Sequence, residues 1–276
     1  MREATPNVFG GSVYPVLFEI FGISVTAYGA SKALAALVAA WLLGREFRRL
    51  GWDADIAHSM VLAATVIGFA GAKLYYLAEH WGELNHHTLS AGFTWYGGVI
   101  AATATVVVMA KRRGLPLGRL AGVAAVPLSL AYGIGRLGCL LAGDGTTGTP
   151  TDLPWGVTIT AGMVPTDGPV HPTPLYEALA AFAIAALLWS LRKRVAPLAV
   201  FGSYLVLSGT ARFLVEVVRT NDEVLLGATQ PQLWSVLLVA IGAALRIRQR
   251  RRPLQEPSAG DAAPAVPKPV GAVSGR

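Results

Sequence analysis

Residues 131–156, AYGIGRLGCLLAGDGTTGTPTDLPWG, decide how the rest of the chain is read. The stretch starts as an apolar helix and carries one arginine, Arg136. It then breaks into a loop rich in Gly, Thr, Asp and Pro, with no lysine and no further arginine. A charge at the centre of a bilayer costs ~2.5–3.5 kcal/mol on insertion scales. An arginine in such a helix therefore faces the protein interior, pairs with another group or marks a substrate path.

Outward from this stretch the chain is mostly hydrocarbon. Of its 276 residues, 53% are hydrophobic and only 14% charged, the composition of a polytopic membrane protein. The net charge of +7 does not indicate nucleic acid, because the charges sit at the ends of apolar spans. The single cysteine, Cys139, excludes an intramolecular disulfide and a cysteine-based metal cluster. Residues 1–15 lack the basic region, short apolar run and small-residue site of a cleaved signal peptide, so the first span reads as a retained anchor.

A spanning helix needs ~20 mostly apolar residues. The candidates are 23–43, 57–77, 95–109, 120–141, 175–191, 196–218 and 231–245. Alternate connecting segments carry the basic residues. Arg45, Arg48 and Arg49 follow the first span, and Lys111, Arg112, Arg113 and Arg119 the third. Arg192, Lys193 and Arg194 follow the fifth, and the segment after the seventh runs on from Arg246. These hold 17 of the 23 lysines and arginines, and the loops 78–94, 142–174 and 220–230 hold none. The positive-inside rule then predicts an all-α membrane protein of seven transmembrane helices, N-terminus outside and C-terminus cytoplasmic. Residues 1–252 form the membrane domain, with 142–174 as a small extracytoplasmic cap containing a short strand in LPWGVTI. Residues 253–276, rich in Pro, Ala, Gly and Ser, read as a disordered cytoplasmic tail.

Apart from terminal Arg2, five basic residues escape this pattern: Lys32, Lys73, Arg136, Arg212 and Arg219. In TARFLVEVVR, Arg212, Glu216 and Arg219 follow at i, i+4 and i+7, which puts them on one helical face. One carboxylate between two guanidiniums is either a salt-bridged seam or an anion site. Arg136 at similar depth favours the anion site, and arginine grips phosphate bidentately. HPTPLYE, residues 171–177, brings His171 to the membrane surface and Tyr176 and Glu177 into the apolar region. Glu177 needs a partner there, and an arginine is the obvious one. Tyr96, Gly97 and Gly98 open the third span, and Tyr28 and Gly29 lie near the outer end of the first. Polar groups from five spans thus converge at one depth. His86–His87 reads as solvated loop, Cys139 as a small buried residue, and Lys73 as a cation able to snorkel outward.

Taken together, the motifs resemble the prolipoprotein diacylglyceryl transferase family over about residues 14–252. GRLGCLLAGDG…TDLPWG is similar to the family signature Gly-Arg-Ile-Gly-Asn-Phe-Ile-Asn-Gly-Glu. HPTPLYE resembles its His-Pro-Ser-Gln-Leu-Tyr-Glu, ARFLVEVVR its Arg-x-x-x-Glu-x-x-Arg helix, and TAYG its first-helix Tyr-Gly. The resemblance implies transfer of the diacylglyceryl group of phosphatidylglycerol to the lipobox cysteine of a preprolipoprotein signal peptide. The setting would be the bacterial cytoplasmic membrane, with the site toward the outer leaflet. By motif position it implies phosphate-binding roles for Arg136 and Arg212. Supporting roles fall to Tyr28, His171, Tyr176, Glu177, Glu216 and Arg219, with Gly97, Gly98 and Asp144 at the substrate. Tyr96 stands where the family's base histidine is expected, while Cys139, Ala142, Asp144 and Pro174 replace Asn, Asn, Glu and Gln. A relative acting on another lipid or acceptor, or a non-catalytic phospholipid-binding protein, would use the same arginines. No cofactor or metal is called for.

Overall fold

A computed structural model of the chain describes residues 15–83, 85, 88–89, 92–225 and 227–250. The expected tail at 253–276 and the His86–His87 pair lie outside them. The long elements are helices: α1 (Ala27–Arg49), α2 (Ala54–Glu79), α3 (Trp95–Arg112), α4 (Leu117–Ala142), α5 (Thr173–Leu191), α6 (Pro197–Glu216) and α7 (Gln230–Arg250). Each overlaps one expected span. Six of the seven are long and apolar enough to cross a membrane, and α3 is the exception. Its 18 residues open on Trp-Tyr-Gly-Gly and close on Lys111-Arg112, so polar ends dilute a centre of Val, Ile and Ala.

Helix limits follow local chemistry. Thr26 Oγ1 caps α1 by accepting the Gly29 N–H at 3.0 Å, and Asp53 caps α2. Prolines open α5 and α6, where the missing N–H is not needed. Gly143, in the left-handed conformation at φ 57°, closes α4.

The first span differs from expectation at its start. Residues 23–26 are strand, not helix: β2 (Ile23–Thr26) pairs antiparallel with β1 (Val16–Ile20). The turn residues Phe21 and Gly22 both have positive φ, 49° and 77°, as a tight hairpin requires. β-Branched Val25 and Thr26 suit the pleated conformation, and the helix begins only at Ala27. A second hairpin, β3 (Glu223–Leu225) with β4 (Ala228–Thr229), joins α6 to α7. The strand expected in the cap is reduced to a single bridge, Val157 to Val170.

The central helix is α4, which packs against α1, α3, α5 and α6. Half of its most apolar window is buried, against 11–39% in the other five candidate spans. α2 and α3 form a close pair. A Cβ on Gly97 would run into the Gly71 carbonyl oxygen, so only glycine permits their approach. At the opposite end of the bundle, buried Glu46 of α1 binds Arg49 at 2.6 Å and Arg192, just beyond α5, at 3.1 Å. Between α1, α2, α3 and α4 lies an apolar cavity of about 820 Å³. Phe69, Phe93, Trp95, Val99 and Leu128 on its wall are 40–69% exposed, so the cavity opens on the side of the bundle.

Candidate functional site

The charges meet where α4, α5 and α6 reach the 142–174 segment. Glu177, in the first turns of α5, is 3% exposed and lies at the centre. Its Oε1 accepts from Tyr132 Oη at 2.8 Å and from Arg212 Nη1 at 2.6 Å. Its Oε2 lies 2.9 Å from Arg136 Nε and 3.6 Å from Arg219 Nη1. Arg136 Nε also donates to Tyr132 Oη at 3.1 Å. Glu216, the last residue of α6, pairs with Arg212 at 2.6 Å and Arg219 at 3.8 Å. It accepts further from Asn221 Nδ2 at 2.5 Å and Thr229 Oγ1 at 2.9 Å.

Three guanidiniums thus share two carboxylates, leaving one surplus positive charge in a largely buried cluster. Arg219 Nη1 is buried and has no hydrogen-bond acceptor among the described residues. Burial, reinforced by neighbouring Arg212, holds this guanidinium below its usual range. A surplus positive charge with a donor left without a hydrogen bond is suited to a phosphate oxygen, for which arginine offers charge-assisted, directional bonds.

Arg219 reaches this position by a route different from the expected helical face. α6 ends at Glu216, and the cap loop holds the chain just beyond it. Gly148 bridges Arg219, and Thr149 N donates to Val218 O at 2.9 Å. His171 closes the same layer: its carbonyl accepts from Gly148 N at 2.9 Å and its N–H donates to Thr149 O at 3.0 Å. A Cβ on Gly148 would run into Val218 O, so the layer closes only around glycine. The cap therefore anchors the main chain of both Arg219 and His171 in one layer.

The remaining sequence-derived residues divide into two groups. Tyr176 Oη accepts from Trp155 Nε1 at 2.8 Å and lies 3.3 Å from His171 Nδ1, which links α5 to the cap. Tyr28 lines the cavity beside Lys32, whose ammonium lies 4.7 Å from its ring centre. Asp144 accepts from the Thr146 N–H at 3.1 Å and hydroxyl at 2.6 Å, which organises its own turn. Tyr96, by contrast, packs on Trp95 and Trp234. Gly97 and Gly98 serve the α2–α3 contact. None of these three is bonded to the charge cluster among the described residues. Tyr132, Trp155, Asn221 and Thr229 belong to the site's bonding and were not singled out by sequence. Only Tyr132 left a signal, one turn before Arg136.

A bundle of apolar helices that holds a buried, net-cationic cluster and a hydrocarbon-lined cavity defines a multi-pass membrane protein. Residues 15–248 match the family described as prolipoprotein diacylglyceryl transferase, and the chain belongs to that family. A relative from Clostridium tetani (strain Massachusetts / E88) is 33% identical over 212 residues, 74% of this chain and 85% of the relative. One from Finegoldia magna is 30% identical over 248 residues, 86% of this chain and 96% of the relative. One from Bacillus mycoides is 32% identical over 237 residues, 81% of this chain and 87% of the relative. All three are named phosphatidylglycerol–prolipoprotein diacylglyceryl transferase.

Proposed function

We propose that this chain transfers the diacylglyceryl group of phosphatidylglycerol to the lipobox cysteine thiol of a preprolipoprotein, releasing glycerol phosphate. The observation that carries the reading is the surplus charge of Arg136, Arg212 and Arg219 over Glu177 and Glu216, together with an apolar cavity of about 820 Å³ whose wall reaches Ala131 on the helix that carries Arg136. The two acyl chains occupy the cavity and the phosphate engages the guanidiniums. The cysteine sulfur forms a bond to the glyceryl carbon, and the carbon–oxygen bond to phosphate breaks. The oxygen keeps the electron pair, so the phosphate goes from one negative charge to two. Fixed guanidiniums in a low-dielectric site act on that developing charge without reorganising. The thiol proton passes to a base. We assign this role to His171, because imidazole is the side chain that ordinarily changes charge near neutrality and its main chain belongs to the layer that holds Arg219.

The same reading takes all seven helices as spans of the bacterial cytoplasmic membrane, N-terminus outside, with the site toward the outer leaflet. The distribution of lysine and arginine supports this orientation. Helix α3, at 18 residues, is about 27 Å long, close to the ~30 Å hydrocarbon thickness. The test is expression in cells depleted of their own transferase, with a lipobox reporter followed by mass. A diacylglyceryl adduct is expected, and Arg212→Lys should reduce it about a hundredfold. Stable membrane expression with no adduct from the wild-type chain defeats the proposal.

A further inference from the structure

Lys32 stands outside the guanidinium–carboxylate cluster and is the one charged residue on the described wall of the apolar cavity. It lies on α1, four residues after Tyr28. A lysine this close to a helix end can extend its stem to water. This one instead crosses to α4: Nζ lies 3.4 Å from Gly135 O and 3.9 Å from Cys139 Sγ, and 4.7 Å above the Tyr28 ring. A carbonyl at long range, a thiol and a ring face are weak partners for an ammonium. Among the described residues no carboxylate pairs with it. The rest of the wall is hydrocarbon with a few threonines, including Ala35, Met60, Val99 and Leu128. Gly135, which accepts from Lys32, directly precedes Arg136 on α4. An uncompensated cation therefore stands on the wall of the apolar cavity, against the turn of α4 that carries Arg136.

We propose that Lys32 is a specificity-determining residue that selects lipids by headgroup charge. The inference rests on the transferase reading, since it assigns the cavity to the lipid substrate. Phosphatidylglycerol brings one negative charge and no cation. Phosphatidylcholine brings the same phosphate with a quaternary ammonium, which Lys32 and the arginines repel. Discrimination by an added repulsion is a common route to specificity, since attraction to the shared phosphate cannot tell the two lipids apart.

Binding without an acceptor peptide separates this inference from the reaction. The purified full chain in detergent, with no lipobox peptide present, is titrated with phosphatidylglycerol and, separately, with phosphatidylcholine, and bound lipid is read by native mass spectrometry. Wild type should prefer phosphatidylglycerol by about tenfold, the scale of one charge-assisted bond. Lys32→Gln should lose most of that preference, with phosphatidylcholine binding kept or improved, and Lys32→Arg should retain it. Gly135→Ala tests whether the charge or the α1–α4 contact matters. Its Cβ would meet only Lys32, at 3.2 Å from Nζ, so it disturbs the seat and keeps the charge. It should keep the preference. An undiminished preference in Lys32→Gln, or a Gly135→Ala variant that loses preference, overturns the proposal. A chain that selects lipid this way but makes no adduct on the reporter defeats the transferase reading and leaves the charge selection standing.

Discussion

Glu177 shows how few residues set the site. One carboxylate touches all three guanidiniums and Tyr132, so it fixes their mutual geometry before any lipid arrives. The sequence made this group legible through cost: Arg136, Glu177, Arg212 and Arg219 each stood where an isolated charge is unfavourable. Tyr132 stayed hidden because an aromatic inside an apolar helix has an ordinary packing explanation. Tyr96 and His171 show the limit from the other side. Motif position put Tyr96 at the base, but its ring lies against Trp95 and Trp234, while His171 sits in the layer that holds Arg219. Assigning the proton to His171 has a direct consequence. In a transfer assay His171→Asn should lower turnover at least about a hundredfold, while Tyr96→Phe should stay within a fewfold of wild type. The reverse order moves the base to the phenol.

At the scale of elements, the cap acts on the cluster through main chain. The bonds from Gly148 and Thr149 to residues 218, 219 and 171 place Arg219 where the helical face would not. Gly148→Ala must push the cap off Val218, and close-packed structure yields to such overpacking by about 1–3 kcal/mol. Thermal unfolding in detergent should show a loss of that size, together with a drop in transfer that Arg136 and Arg212 cannot offset. A variant with wild-type stability and turnover would mean the cap does not hold Arg219. The sequence marked the loop by its length and composition, but its inner register depends on bonds between residues far apart in the chain. The hairpin at 16–26 escaped for a different reason. A short apolar run at the start of a long one has the periodicity of neither helix nor strand clearly enough to divide them.

For the whole molecule, the alternation of basic and non-basic loops was readable from composition alone, because it needs no side-chain contacts. Among the described residues, six of the expected spans coincide with helices long and apolar enough to cross a membrane, and α3 is too diluted at its ends to meet that standard. The orientation makes a physical demand. With Cys139 replaced by alanine, a membrane-impermeant thiol reagent applied to intact cells should label Met163→Cys in the exposed cap and spare Lys193→Cys until the membrane is opened. Labelling in the opposite pattern inverts the protein and puts its site on the cytoplasmic side.

The side opening of the 820 Å³ cavity bears on how the enzyme uses its binding energy. If that opening faces the acyl region of a bilayer, as the proposed function requires, the chamber is bathed in its ligand, and supply comes by lateral diffusion within a two-dimensional solvent in which the substrate is itself a component. Tight capture of the resting lipid would then add little to the rate. The attraction of three arginines is better used late, when the departing phosphate acquires its second charge, and only that difference raises turnover. Under the proposed reading, saturation by lipid is the normal condition, and the scarce reactant that paces the cycle is the arriving peptide.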